Sequence, residues 1–354
     1  MSSTKQSAVT FSDKEALTVD GSRTSNFFGY AYVCWTDFRS NSTGGQPIVV
    51  SRSRDGGSTW SSPKMLTTAT AAKGGRQGCD IKTDASGVVY AFMESEAQGN
   101  RGNGILMTRS FDGGASFDKP RKVADVFDIG EPSLTSPGYT DIDGVAGSRV
   151  DSFPHVAISG STIALAWADG RNGVGSETEL AQVSHDRGMT WTTPVNVARP
   201  DDRPVMPGVA LSPDATTLYT VYSDDATMFQ DSLAGDRTFR GVLLAVPVGP
   251  SGLGTPVEAA AETTTGDGRG SSANALSDEF IGDYNQVAAT PTGAVALYTS
   301  LSDAAVCDAI NGYRQGLVDN ADGTSTTPPT APSPLTDCPD QSFGNTQIKA
   351  LLTP

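Results

Sequence analysis

One octapeptide recurs three times in this chain. The copies are Ser53-Arg54-Asp55-Gly56-Gly57-Ser58-Thr59-Trp60, Ser110-Phe111-Asp112-Gly113-Gly114-Ala115-Ser116-Phe117 and Ser184-His185-Asp186-Arg187-Gly188-Met189-Thr190-Trp191. The shared pattern, Ser-x-Asp-x-Gly-x-x-aromatic, encodes one kind of tight β-hairpin. The Ser and Asp side chains bond the turn's own amides. The glycine takes the positive φ that a tight turn needs, and the aromatic fills a gap beside the next strand. Copies of one hairpin spaced tens of residues apart imply a repeat architecture. The expected role of Asp55, Asp112 and Asp186 is therefore to hold their own turns.

Each octapeptide sits inside a longer unit. An apolar strand comes first, then a second strand ending in an aromatic, any residue and a polar residue. Examples are Ala31-Tyr32-Val33-Cys34-Trp35-Thr36-Asp37 and Ile163-Ala164-Leu165-Ala166-Trp167-Ala168-Asp169. Two further strands flank the octapeptide. Four strands per unit, repeated, predict an all-β fold, a β-propeller of four-stranded antiparallel blades within one domain. The blades fall at about residues 13–68, 77–125, 150–199, 203–260 and 281–354. The fifth lacks an outer strand, and residues 7–11 are expected to supply it and close the ring, removing an exposed edge. Five blades are counted. A sixth would have to lie in residues 130–149, 263–279 or 304–345, all of which read as loops.

The formal charge is -15, from 25 basic and 40 acidic residues. That disfavours nucleic acid and anionic membranes, whose binding draws on basic patches. No apolar run approaches a membrane span. Of the four cysteines, Cys307 and Cys338 flank a long Pro, Thr and Ser-rich stretch and are expected to bridge and pin it. Cys34 reads as a small buried residue, and a Cys34–Cys79 bridge is left open. No Cys or His spacing suggests zinc. The run Asp319-Asn320-Ala321-Asp322-Gly323 has calcium-loop residue types without the later ligands, and reads as a loop turn. Neither a metal nor a cofactor is expected. The disulfide and the composition favour a secreted monomer whose signal peptide is not in the sequence, since Met1-Ser2-Ser3-Thr4-Lys5 has no apolar stretch.

In a propeller, ligands sit at one axial mouth, on the loops that enter the first strand and leave the second of each blade. The octapeptides lie on outer hairpins, away from it. Before the first strands stand Arg76, Arg149 and Arg203, in three successive blades. Three guanidinium forks converging on one axis would bind a carboxylate. Arg39 and Arg171 follow second strands and could replace one of the three. Acids also follow second strands, among them Asp37, Glu94 and Asp169, and a structural role is favoured for them. Asp151 and His155 complete the candidate binding set, with His155 read as a channel histidine bonded to backbone.

The octapeptides resemble Asp boxes, the repeats of bacterial neuraminidases, and nearly the whole chain resembles the sialidase-like superfamily. Trp35-Thr36-Asp37-Phe38 and Val150-Asp151-Ser152-Phe153-Pro154 are similar to phrases in predicted bacterial exo-sialidases. The Arg-Ile-Pro motif of sialidases is missing. The resemblance implies an exo-glycosidase acting on an acidic sugar, with Arg76, Arg149 and Arg203 on the substrate carboxylate. It also implies a tyrosine nucleophile activated by a glutamate. Tyr284 is the first candidate, with Glu279 or Glu15 as its base, and Tyr139 the second. An aspartate of the mouth, Asp37 or Asp283, would be the acid. Two other readings stay open: a non-catalytic carbohydrate- or protein-binding propeller, and a lyase of uronic-acid polysaccharides with a Tyr or His base.

Overall fold

Buried apolar runs bounded by turn residues become the central strands of this all-β molecule. In the computed structural model, residues 10–39, 45–67, 75–95, 103–135, 139–143, 146–272 and 276–353 are described. Five antiparallel sheets follow one another along the chain, each pairing strands in sequence order. Sheet one holds β1 (Thr10–Val19), β2 (Ala31–Arg39), β3 (Ile48–Ser53) and β4 (Lys64–Met65). Sheet two holds β5 (Arg76–Thr83), β6 (Val89–Ser95), β7 (Gly104–Ser110) and β8 (Arg121–Asp125). A short hairpin, β9 (Glu131–Pro132) and β10 (Thr140–Asp141), precedes sheet three. That sheet holds β11 (His155–Ser159), β12 (Thr162–Asp169), β13 (Thr178–Ser184) and β14 (Val195–Asn196). Sheet four has β15 (Pro204–Leu211), β16 (Thr217–Asp225) and the long β17 (Thr238–Gly249), which pairs in turn with β18 (Gly252–Leu253), β19 (Val257–Ala261) and β20 (Gly266–Asp267). Sheet five has β21 (Gln286–Thr290), β22 (Gly293–Ser300) and β23 (Gln347–Leu352).

The second strands β6 and β12 are buried along their whole length. Both faces of these strands therefore meet apolar neighbours, as expected of a sheet packed between two others. Tyr32, Cys34, Ile48 and Val50 of sheet one meet Ile81, Val89, Ala91 and Met93 of sheet two. Tyr90, Phe92, Ile105 and Met107 continue to Val156, Leu165 and Trp167 of sheet three. Ala164, Ala166 and Val183 then meet Leu211, Leu218 and Val246 of sheet four, and Val221 and Leu243 meet Ala296, Tyr298 and Leu351 of sheet five.

The three octapeptides form the same turn. In the first, Ser53 Oγ donates to Asp55 Oδ1 and accepts from Gly57 N, both at 2.8 Å, and Thr59 N donates to Asp55 Oδ1 at 2.8 Å. The second and third copies repeat these bonds at the same lengths. Two of their aromatics pack inward: Phe117 joins the core between sheets one and two, and Trp191 meets Phe92 edge-on at 6.2 Å. Asp112 and Asp186 are held at about 2; burial opposes this for Asp112, but bonds from the turn prevail.

Several expectations are corrected. Thr10 and Phe11 do not extend sheet five; they continue β1, with Phe11 opposite Phe38 of β2. The rest of the expected closing strand, residues 7–9, lies outside the described residues. No apolar cluster among the described residues joins sheet five to sheet one. On sheet five the cross-strand pair Val295 and Leu352 is exposed, as is Leu297, and on sheet one Leu17, Val19 and Met65 are exposed. The three insertions are not plain loops. They carry the β9–β10 hairpin, β20, and the helices α1 (Asp308–Ala321) and α2 (Pro334–Asp337). The expected loop turn at Asp319 is the C-terminal end of α1, with Asp322 as its cap and Gly323 at φ +85° after it. Both disulfides form, Cys34–Cys79 between β2 and β5, and Cys307–Cys338 across the third insertion, so Cys34 is not a free thiol.

Candidate functional site

Three first strands carry the same irregularity near one end. Register shifts fall between Asp13 and Ala16 in β1, Gln77 and Asp80 in β5, and Val205 and Gly208 in β15. Each bulge contains a residue with positive φ: Lys14 at 59°, Gly78 at 60° and Met206 at 53°. Bulges re-aim side chains and often lie beside functional sites. The first of them turns Lys14 inward until it is almost wholly buried. At Gly78 a Cβ would stand 2.3 Å from the Phe153 ring, so the glycine is what lets that ring in.

Beside the first two of these bulges lies a cavity of about 510 Å³. Sheet one contributes Phe11, Asp13, Lys14 and Phe38, and sheet two contributes Gln77 and Glu94, which sit opposite each other across β5 and β6. Asp128, Tyr139 and the run Arg149-Val150-Asp151-Ser152-Phe153 supply much of the remaining wall. Phe11 and Phe38 form a tilted pair at 6.2 Å. A second cavity, of about 220 Å³, is lined by all five first strands, including Leu17, Asp80, His155, Val209 and Gln286. Residues of the five first strands thus meet around one cavity.

Asp151 is a strongly perturbed acid of the larger cavity. Its side chain is 36% exposed and lines this cavity. Burial raises its pKa to about 7; Lys14 and Arg149 pull it down, while Asp283 and Asp128 push it up. Lys14 Nζ stands 3.8 Å from Asp151 and 3.2 Å from Asp283, over the rings of Phe153 at 5.1 Å and Tyr284 at 5.6 Å.

Of the three arginines expected to converge, one reaches the cavity. Arg149 lies between the rings of Tyr139 and Phe280, at 5.6 and 5.3 Å. Its Nε and Nη2 donate to the two carboxylate oxygens of Asp283 at 3.2 and 2.6 Å. Arg203 is buried elsewhere, paired with Glu177, Asp225 and Asp143 at 2.8, 2.8 and 3.0 Å. Arg76 donates to the Gly75 carbonyl at 2.6 Å, and the strand's period of two turns it away from the face of Gln77. Arg39 pairs with Asp37, and Arg171 pairs with Asp169, at the ends of β2 and β12. These two Asp-x-Arg pairs are one structural device used twice, and neither Asp37 nor Arg39 lines the cavity.

The tyrosine dyad is corrected as well. Glu279 is fully buried and accepts from Arg237 at 2.6 Å. Arg237 also holds Asp143, so Glu279 belongs to the Arg203 network and not to Tyr284. Burial, and then the fields of Asp283, Asp13, Glu15 and Asp151, raise the Tyr284 pKa, the reverse of what activates a phenol as nucleophile. His155 lines the second cavity, where burial lowers its pKa to about 4 and keeps it neutral. Asp283 is not an acid in waiting but the partner shared by Arg149 and Lys14.

Lys14 and Gln77 stood before first strands without being given a role, and Asp128 and Phe38 were not assigned to the site from the sequence. The one available signal was the charged run Asp13-Lys14-Glu15 ahead of the first apolar strand. Among the described residues no group of three His, Cys, Asp or Glu could hold a metal ion.

No protein-family model matches the chain, nor does any curated protein sequence. Solved structures resemble it weakly. One is a protein of unknown function from Dyadobacter fermentans, 13% identical over 83% of this chain and 76% of that one, with a TM-score of 0.48. An α-L-arabinofuranosidase of Fusarium graminearum is 14% identical over 83% and 79%, at 0.49. A Hadza microbial sialidase is 16% identical over 83% and 51%, at 0.46. Likenesses at this level say nothing of substrate or activity.

Proposed function

We propose that the five sheets are blades of a propeller and that its mouth cavity cleaves a glycosidic bond. The observation that carries the reading is Asp151, recessed in the cavity with a pKa near 7. Such an acid holds its proton at working pH and can give it to a leaving sugar oxygen. A second carboxyl of the same cavity, Asp13, Glu94 or Asp128, serves as nucleophile or base opposite. The aromatic walls offer faces on which sugar rings stack. The two disulfides suit an oxidising compartment, which favours secretion. One chain supplies every group, so a monomer suffices.

The sialidase form of this reading retains only Arg149 at the cavity. The lyase form finds its histidine in the second cavity instead. A purely carbohydrate-binding propeller would use the same aromatic walls, and activity separates the two. Oligosaccharide hydrolysis by the wild type and by Asp151→Asn, followed by reducing-end release, is the test. Loss of about 10²-fold or more in kcat supports the acid. Binding without any hydrolysis by the wild type would leave a lectin.

A further inference from the structure

We propose that the mouth takes an uncharged sugar, and that Arg149 orders the cavity wall and does not clamp a substrate carboxylate. This rests on the glycan reading above and narrows it.

The first observation is the balance of charge. Two cations, Lys14 and Arg149, line the cavity against four carboxyls, Asp13, Glu94, Asp128 and Asp151. The second is that both cations are already engaged. Asp283 takes a two-point hold on Arg149 and also pairs with Lys14 at 3.2 Å. A substrate carboxylate would have to displace Asp283 from Arg149 and then sit among the remaining acids. The third is that Arg203, expected to share such a clamp, is held by three buried acids.

Asp13 and Asp128 repel a sugar acid, and against them the cavity sets Lys14 and Arg149, which share the Asp283 carboxylate. One net like charge about 6 Å from the sugar carboxylate, at an effective dielectric near 20, corresponds to roughly a hundredfold preference for the neutral sugar. What the cavity does offer suits a neutral ring. Phe11, Phe38 and Tyr139 present apolar faces, and Gln77 and the carboxyls accept and donate to hydroxyls.

The experiment is titration calorimetry of the whole chain with matched oligosaccharides: neutral hexose and pentose oligomers, uronate oligomers and a sialoside. The expected result is binding of at least one neutral series and a hundredfold weaker response to its uronate counterpart. Tighter binding of the uronate or the sialoside would overturn the proposal and leave the glycan reading standing. No binding by any series would overturn both. A second arm uses Asp283→Asn, which releases Arg149. A gain of tenfold or more in uronate affinity supports the assignment of Arg149, and an unchanged preference overturns it.

Discussion

At Asp151 the burial that penalises the charged form is what keeps the proton that catalysis needs. Its pKa in the folded chain, about 7, lies well above the ordinary value near 4. The folded state therefore holds this proton more tightly than the unfolded one. The contribution to stability is complete below about pH 4 and fades as pH rises toward 7. Asp151→Asn, which cannot ionise, is expected to raise the melting temperature at pH 8 and leave it nearly unchanged at pH 4. Thermal unfolding at the two pH values checks this; an equal shift at both would contradict burial as the cause of the raised pKa. Asp151 and Arg149 were both legible in the sequence, because they stand together ahead of a first strand. Arg76 and Arg203 stand at similar places, yet sequence position could not say which way their side chains turn. Strand alternation at the start of β5 and three buried acids around Arg203 decided that.

Elements explain which motifs are structural. The hydroxyls of Ser53, Ser110 and Ser184 are buried and each accepts from a glycine amide of its turn. Ser110→Ala leaves the Gly114 amide without that partner and is expected to cost about 1–2 kcal/mol by chemical denaturation, with hydrolysis unaffected. Arg203 matters more. Removing it as Arg203→Ala leaves Asp143, Glu177 and Asp225 buried around an absent cation, an expected loss of about 3–5 kcal/mol. A loss of less than about 1 kcal/mol would show that these acids find another partner. The octapeptides could be read from sequence because their chemistry is local. Helix α1 could not. Its buried residues are Ile310, Arg314 and Val318, one per turn, and the middle one is charged. Arg314 is buried because four backbone carbonyls, of Arg269, Ser271, Leu276 and Asp278, accept from it. No pattern of apolar periodicity reveals a buried arginine that serves backbone.

At the scale of the molecule, four apolar junctions stack the sheets, and Lys14 of sheet one pairs with Asp283 and lies over the Tyr284 ring, both just ahead of β21. The Cys34–Cys79 bridge ties sheets one and two. Its loss, as a double Cys→Ser variant, is expected to cost about 2–4 kcal/mol. On sheet five, Leu297→Ser on the exposed face is expected to leave the melting temperature within about a degree, because surface changes away from packed features fall near ±0.5 kcal/mol. A drop of several degrees would mean that this face is covered in solution. The repeat was legible from the octapeptides, whereas the path of the N-terminal segment was not, since a short apolar strand pairs equally well with either neighbouring edge. The proposed chemistry turns on the mouth cavity and its proton. The most direct measurement is the pH dependence of kcat for hydrolysis of a neutral oligosaccharide, for the wild type and Asp151→Asn. The wild-type rate is expected to fall as pH rises through about 7, and the variant to be slower by about 10²-fold or more without that limb. A variant with the wild-type rate and the wild-type pH profile would contradict a proton held by Asp151.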